Sequence, residues 1–277
     1  MKFKIGFSPC PNDTFIFDAL VNKKIDTEGF EFEVLLEDVQ TLNVWAISKK
    51  LDVSKISYGA LPLVLKDYLI LNSGGALGAG VGPLLITKKQ NENILSSIEK
   101  MTVAIPGKNT TAHMLFSYAF PSAINKQFLV FNEIEDAVLT GKADAGVIIH
   151  ENRFTYADKG LIKLIDLGDF WEKKTQFPIP LGGIIVKKSF NTKVQQKLDR
   201  LIRKSIEYSF NNYPAVSSFV SNHSQEMSEE VMRKHINLYV NNFSLDLGAK
   251  GKAAIDKLLE VYANIHNSNT SYDNIFV

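Results

Sequence analysis

The sequence contains a single cysteine, Cys10, among its 277 residues. One cysteine cannot form an intramolecular disulfide, and it cannot supply a cysteine-rich metal site. The five histidines are not spaced as HExxH and form no His/Cys ligand pattern along the chain. The sequence therefore predicts no metal site, and we expect no cofactor.

The chain also lacks a charge excess and a long apolar run. Lys and Arg total 31 against 30 for Asp and Glu, so no basic surplus is available to hold a nucleic-acid backbone. No window reaches about 18 uninterrupted apolar residues, which excludes a transmembrane helix. The first residues, MKFKIGFSPCPNDTF, lack the apolar run of a secretory signal. We expect a cytoplasmic protein that binds a small molecule and contacts neither membrane nor nucleic acid; the oligomeric state is not indicated.

At 277 residues the chain exceeds the usual size of a single-core domain. Alternating and short apolar segments predict strands separated by helical segments. After residue 192 the pattern is helical, and its apolar stripe predicts packing rather than function. His223, His235 and His266 fall in this region, where surface or packing positions are expected. The predicted strands cover 2–7, 30–36, 53–57, 83–87, 102–105, 128–131, 145–149, 161–166 and 181–186.

Residues 141–156, GKADAGVIIHENRFTY, predict a buried strand that ends at a histidine. A run of small and β-branched residues without polar alternation is typical of a strand covered on both faces, as in a parallel sheet. His150 would then lie at the carboxyl end of the strand, where open α/β folds bind their ligands. A structural histidine bonded to a backbone carbonyl is the alternative, and the residues alone leave it open.

A second strand end, SPCPND at 8–13, contains helix-capping residue types such as Asn12. A helix is predicted to start near Thr14, and its free N–H groups could hold a carboxylate. A purely structural turn explains the same residues. Cys10 lies in this turn without a recognisable base, so a small packing residue is the better interpretation.

A third strand end, VSKIS at 53–57, carries Lys55 and Ser57 on one face, with Ile56 between them. A lysine at this position is usually solvated, but its place at a strand end leaves a carboxylate-binding role open.

The fourth strand end, PGKNTT at 106–111, precedes another helix. Asn109, Thr110 and Thr111 can all cap that helix, although ordinary capping needs one of them. The additional hydroxyl group makes a ligand site a reasonable alternative to simple capping.

The chain order predicts a two-lobed α/β architecture. Two α/β units joined by two crossings, with the C-terminal helices packed on the first unit, describe a periplasmic-binding-protein-like (type II) fold. We expect a large lobe from residues 1–87 and 181–277 and a small lobe from 88–180. The four strand ends would then face a ligand cleft between the lobes.

Three motifs resemble those of a known family: SPCPNDTFIF at 8–17, SGGALGAGVGPL at 73–84 and GVIIHENRFTY at 146–156. Together with LEDVQTLN at 36–43 and NNFSLDLG at 241–248, they are similar in collinear order to 1,4-dihydroxy-6-naphthoate synthase. This family is the lyase of the futalosine route to menaquinone. The resemblance implies that cyclic dehypoxanthine futalosine is split to 1,4-dihydroxy-6-naphthoate and a carbohydrate-derived fragment.

The resemblance also implies roles for individual residues. The catalytic base of the family is the histidine of the IIHE motif, which falls on His150. Its substrate contacts fall on residues 55–57 and on Thr110 and Thr111. The cap residues Asn12 and Asn109 complete the expected substrate-binding set.

Two other functions remain open from the sequence. A solute-binding protein of the same fold would bind a small carboxylate without chemistry, although such proteins usually carry an export signal. Chorismate dehydratase, the sister enzyme of the same pathway, resembles this fold, but the IIHENRFTY motif argues against it.

Overall fold

The structure is a computed structural model that describes residues 1–88, 94–224, 228–268 and 272–277. Within these ranges the chain alternates strands and helices and then continues as helices alone. The strands are β1 (Lys2–Phe7), β2 (Glu31–Leu36), β3 (Val53–Ser57), β4 (Tyr68–Ile70), β5 (Ala76–Gly78), β6 (Leu84–Thr87), β7 (Val103–Ile105), β8 (Lys126–Phe128), β9 (Ala145–Ile148), β10 (Ile162–Asp166) and β11 (Ile179–Lys187).

The α-helices vary from single turns to the long helix α8. They are α1 (Pro11–Val21), α2 (Val39–Ile47), α3 (Leu61–Val64), α4 (Thr111–Ala119), α5 (Ile134–Leu139), α6 (Asn152–Thr155), α7 (Leu167–Thr175), α8 (Thr192–Asn212), α9 (Ser218–His223), α10 (Glu229–Tyr239), α11 (Asn242–Leu245) and α12 (Gly248–Ile265). Short 3₁₀ helices lie at Tyr58–Ala60, Ile94–Lys100, Phe131–Glu133 and Tyr156–Lys159. Among the described residues, no helix combines the length and apolar composition needed to cross a membrane.

The strands form two mixed sheets. The first has the order β2-β1-β3-β11-β4, with β5 also paired to β11, and the second has the order β10-β6-β9-β7-β8. In the first sheet β1 is parallel to β2 and β3, and in the second β9 is parallel to β7. Parallel neighbours end at the same sheet edge, so the loops after β1 and β3 lie side by side, as do those after β7 and β9. This arrangement positions the candidate site.

Two strand predictions need correction. The strand predicted at 83–87 is present as β6, but it pairs with β9 and β10 and so lies in the second sheet rather than in the sheet of the first unit. The strand predicted at 128–131 is wrong in position, because β8 ends at Phe128 and a 3₁₀ turn begins at Phe131. Phe128 and Val130 are exposed, so the apolar run at 128–131 is not a buried strand.

The chain changes sheet between β5 and β6 and again between β10 and β11. The lobe boundaries at 87/88 and 180/181 stay a prediction. The sequence also predicts a short helix at 91–100; this segment starts outside the described residues, and Ile94–Lys100 is a 3₁₀ helix.

Helix α8 packs on α1 and fixes the position of the α1 N-terminus beside the cleft. The Ser205 hydroxyl donates to the Ile16 carbonyl oxygen at 2.7 Å, and the Ser209 hydroxyl donates to that of Phe15 at 2.8 Å. Leu198, from the apolar stripe of α8, is fully buried, which confirms its predicted packing role. Each fully buried side chain of this type contributes about 1.5–3 kcal/mol of transfer free energy.

The crossing between β5 and β6 is tied to the second sheet by Arg153 of α6. Its guanidinium donates to the carbonyl oxygens of Gly80, at 2.8 Å, and Gly82, and it pairs with the Asp166 carboxylate at 2.7 Å. A Cβ at Gly82 would lie 2.2 Å from the Gly168 nitrogen, so this contact requires glycine. The glycine-rich loop thus provides close backbone packing where the chain passes between sheets.

Candidate active site

The four predicted strand ends border one cleft with a cavity volume of about 90 Å³. Asn109 does not line this cleft; it lines an outer groove beside His113. The predicted site residues that line the cleft are Asn12, Lys55, Ile56, Ser57, Thr110, Thr111 and His150.

Helix α1 starts at Pro11, three residues before the predicted Thr14, because proline is pre-organised for the first helical turn. Its N-terminus already carries a carboxylate. Asp13 Oδ2 accepts hydrogen bonds from the Ser8 hydroxyl at 2.7 Å and from the Ser8 backbone N–H at 3.2 Å, and its Oδ1 accepts from the Asn12 amide at 2.8 Å. Asp13 therefore occupies the position where the sequence suggested a bound anion.

Lys55 is buried rather than solvated. Its Nζ lies 3.1 Å from Asp13 Oδ1 and donates to the Gly74 carbonyl oxygen at 2.9 Å. The lysine and aspartate side chains are only 6% and 4% exposed, so the pair is shielded from solvent. The positive charge of Lys55 is thus already paired, and one of its three N–H donors remains for a ligand.

Asn43 of α2 does not line the cleft, but it joins two of the strand ends that border it, and the sequence analysis missed this role. Its amide donates to the Ser57 hydroxyl at 3.1 Å and to the Asn109 carbonyl oxygen at 2.8 Å, and its Oδ1 accepts from the Ser57 N–H at 2.9 Å. One helical turn earlier, Gln40 Oε1 accepts from the Asn109 N–H at 2.9 Å. The i, i+3 spacing of these two amides within LEDVQTLN is the sequence signal that could have found them.

The two threonines both have protein partners. Thr110 is the N-cap of α4, accepting from the His113 N–H at 3.2 Å and donating to the Gly107 carbonyl oxygen at 2.9 Å. The Thr111 hydroxyl donates to the Leu181 carbonyl oxygen at 2.6 Å and accepts from the Gly59 N–H at 2.9 Å, which joins segments of both sheets. A hydroxyl oxygen has two acceptor sites, so each threonine keeps one for a ligand.

His150 lies at the end of β9, as predicted, in the left-handed backbone region with φ of 57°. A non-glycine residue in this region costs of order 1–3 kcal/mol and is held there by its surroundings. Among the described residues its ring nitrogens have no hydrogen-bond partner, so the backbone-bonded alternative is not what the structure shows. The Phe131 ring packs edge-on against it at 5.0 Å. Burial lowers the pKa of His150, opposed in part by nearby carboxylates, chiefly that of Glu151. The imidazole is therefore mainly neutral near pH 7.

His235 of α10 lies behind His150. It is fully buried, and neither ring nitrogen has a hydrogen-bond partner in the described part of the chain. Its ring centroid lies 6.1 Å from that of His150 and 4.6 Å from that of Tyr239, which lines the cleft. Burial lowers the pKa of His235 well below its ordinary value. The sequence correctly allowed a packing histidine but missed its position, although Met232, His235, Ile236 and Tyr239 form one helical face.

Cys10 has a base beside it after all. The Cys10 sulfur, a His150 ring nitrogen and a Glu151 carboxylate oxygen all lie within 4.8 Å of one another. Cys10 is buried, as a packing residue would be, and burial raises the pKa of its thiol. The sequence spacing could not show this cluster, because its members come from two distant strand ends.

Comparison with known proteins adds the family. A family profile described as "Menaquinone biosynthesis" matches residues 3–264. Curated proteins named 1,4-dihydroxy-6-naphthoate synthase, from Thermus thermophilus and Streptomyces coelicolor, are each 41% identical to this chain over 92% of its length and cover 92% and 91% of their own. The chain belongs to the 1,4-dihydroxy-6-naphthoate synthase family. The resemblance in its motifs is thereby confirmed, and the protein is an enzyme of menaquinone biosynthesis.

Solved structures confirm the predicted fold class. The crystal structure of protein AF1704 from Archaeoglobus fulgidus has a TM-score of 0.89 and 31% identity, with 96% of this chain and 98% of that chain covered. The alkanesulfonate-binding protein SsuA from Xanthomonas axonopodis pv. citri has a TM-score of 0.76 at 11% identity, with 100% and 98% covered. At that identity the likeness concerns the fold alone, which is periplasmic-binding-protein-like.

Proposed function

We propose that this protein is a lyase that converts cyclic dehypoxanthine futalosine to 1,4-dihydroxy-6-naphthoate and a carbohydrate-derived fragment, with His150 as the general base. The observation that carries the proposal is a neutral, unpartnered imidazole in the cleft of a chain 41% identical to proteins named as this synthase.

The chemistry requires a base with the properties of His150. Breaking a carbon–carbon bond and aromatising a ring involves removing protons from carbon atoms beside carbonyl groups. General base catalysis of such a step contributes about 10²- to 10⁴-fold to the rate. Because burial lowers the pKa of His150, the unprotonated form that accepts the proton is the main form at neutral pH. The imidazolium formed can return the proton later in the reaction.

The rest of the cleft offers mainly hydrogen-bond acceptors. Thr110 and Thr111 each keep one acceptor site, and Asn12 Oδ1 is buried without a hydrogen-bond partner among the described residues. These atoms suit substrate hydroxyl groups. The remaining N–H donor of Lys55 suits a substrate carboxylate, although its charge is shared with Asp13.

The two sheets would act as lobes that close on the substrate and exclude water from enolate-like intermediates. The large lobe would comprise residues 1–87 and 181–277 and the small lobe 88–180, except that the pairing of β6 favours its inclusion in the small lobe. The cytoplasm stays the predicted compartment, which cell fractionation tests.

The test is turnover of purified protein with cyclic dehypoxanthine futalosine, without added metal or nucleotide, measured as formation of the naphthoate. We expect His150→Asn to lower kcat by about 10²- to 10⁴-fold. Asparagine tolerates the left-handed backbone at this position, so the variant removes the base without adding backbone strain. His266→Ala, which changes an exposed histidine, is the matched control.

Three results would contradict the proposal. Unchanged kcat in His150→Asn would remove His150 as the base. Loss of water from chorismate in the same assay would identify a dehydratase. Substrate binding without turnover in the unmodified protein would identify a solute-binding protein.

A further inference from the structure

Cys10, His150 and Glu151 bring three different metal-binding atoms together beside the cleft, which His150 itself lines. We infer that these residues form a binding site for Zn²⁺, and that the ion competes with catalysis by occupying His150. The site goes beyond the proposed function, whereas the competition rests on it.

The geometry fits a single small ion. The thiol sulfur, the imidazole nitrogen and the carboxylate oxygen all lie within 4.8 Å of one another. Atoms that share one Zn²⁺ in a tetrahedron, at bond lengths of about 2.0–2.3 Å, lie roughly 3.3–3.8 Å apart. Side-chain shifts of about one ångström therefore suffice to close the coordination shell. The fourth position would face the cleft, where water or substrate can enter.

The donor set selects the metal. A thiolate, an imidazole and a carboxylate together suit Zn²⁺, whereas Mg²⁺ and Ca²⁺ prefer oxygen ligands alone. Three protein ligands with one open position are also the usual arrangement of accessible zinc sites.

The surrounding charge favours a dication. The carboxylates of Glu151, Asp13 and Asp38 act on His150, and the ammonium group of Lys55 acts against them with a smaller effect. Because Lys55 is paired with Asp13 and Asp38 accepts hydrogen bonds from the N-terminal N–H groups of α2, the carboxylate of Glu151 is the main negative charge left to balance a cation.

A second, independent observation points to a ligand at Glu151. Its side chain is more than nine-tenths buried, and Oε2 has no hydrogen-bond partner in the part of the chain that is described. A buried carboxylate oxygen without a partner is costly, and a bound cation removes that cost.

Zinc at this site would block the proposed chemistry. The imidazole nitrogen that binds the ion cannot accept a substrate proton, so turnover should fall as the site fills.

The experiment uses the full-length protein after removal of bound metal with a chelator. Titration calorimetry with Zn²⁺ should show one tight site, and Co²⁺ at the same site should give a thiolate-to-cobalt charge-transfer band. Cys10→Ser and Glu151→Gln should each weaken Zn²⁺ binding by at least about 100-fold, because even a lost outer-shell partner costs about 10- to 100-fold. His113→Ala, which alters a histidine of the outer groove, should bind Zn²⁺ unchanged. Circular dichroism checks that each variant is folded.

The outcomes separate the site from the function. Absence of the cobalt band, or Zn²⁺ binding that survives both Cys10→Ser and Glu151→Gln, overturns the site. In turnover assays, Zn²⁺ should lower the rate of the unmodified protein at least about tenfold. At the same Zn²⁺ concentration, the rate of Cys10→Ser should be nearly the same with and without the ion. Zinc binding with a cobalt band but no inhibition would uphold the site and count against His150 as the base.

Discussion

The two sides of the cleft differ in how their buried polar groups are satisfied. On the paired wall, formed by Ser8, Asp13, Asn43, Lys55 and Ser57, side chains hydrogen bond or ion pair with one another and with nearby backbone. On the histidine wall, formed by His150 at the cleft with Glu151 and His235 packed beside it, ring nitrogens and a carboxylate oxygen lack partners among the described residues. An unsatisfied buried group costs about 1–3 kcal/mol, so native proteins keep few of them, and chiefly where they serve a function. The paired wall shapes the cleft, and under the proposed function the histidine wall would supply its reactive group, His150.

The largest expected effect is a loss of activity on the histidine wall without a loss of stability. His150→Asn should lower kcat by about 10²- to 10⁴-fold, while the free energy of unfolding changes by less than about 1 kcal/mol, because the side chain has no hydrogen bond to lose. Chemical denaturation run beside the turnover assay checks both values. A large loss of stability would show that His150 contributes to folding as the residues of the paired wall do, and would contradict the comparison.

On the paired wall, Lys55→Met should destabilise the fold by about 3–5 kcal/mol, because it leaves the buried Asp13 carboxylate without its cation. The measurement is urea unfolding. Lys234→Met, which breaks an exposed pair with Glu230, is the control and should change the unfolding midpoint little. Similar midpoints for the two variants would show that burial of the Lys55 pair contributes little.

Asn43→Ala tests the contact between the first sheet and the loop before α4. Removing the amide leaves the Ser57 N–H and the Asn109 carbonyl oxygen without this partner, which should cost about 1–3 kcal/mol. Asn212→Ala changes an exposed asparagine at the end of α8 and should cost less than about 0.5 kcal/mol. Equal unfolding free energies in the two variants would contradict the bridging role.

The smallest expected effect is a loss of folding stability at low pH, caused by His235 of the histidine wall. The folded-state pKa of His235 lies well below its ordinary value of 6.5, so below about pH 6.5 the unfolded chain binds the extra proton. Stability is therefore complete above this pH and falls on acidification, by at most about 1.4 kcal/mol per pH unit for one histidine. Urea unfolding at pH 7.5, 6.5 and 5.5 measures the slope. His235→Phe should lower the number of protons taken up on unfolding by about one, and so make the slope less steep. An unchanged slope would assign the acid sensitivity to other groups.

Much of the fold could be predicted from local patterns. The β1 and β3 segments alternate or pack apolar residues over five to six positions, and their bounds match the structure. The partner of a strand is less visible. β6 is an apolar run that fits either sheet, and its antiparallel pairing with β9 and β10 depends on residues about sixty positions away or more.

For the site, the strand ends were predictable because turn and cap residues mark them locally. His150, Ser57 and the two threonines meet at the cleft for that reason. Asn43 and His235 were not predictable in the same way. Each is a polar residue on an otherwise apolar helical face. Its contact is made with a residue distant in the sequence, Ser57 for Asn43 and His150 for His235.

The left-handed backbone at His150 has a genetic consequence. Asparagine and aspartate are the other residues, besides glycine, that adopt this conformation with least strain, and each is one base away from a histidine codon. Under the proposed function, a single point mutation would leave the cleft folded and able to hold its ligand while removing the base. If His150 is the base, one nucleotide change would separate this enzyme from a protein that only binds its ligand.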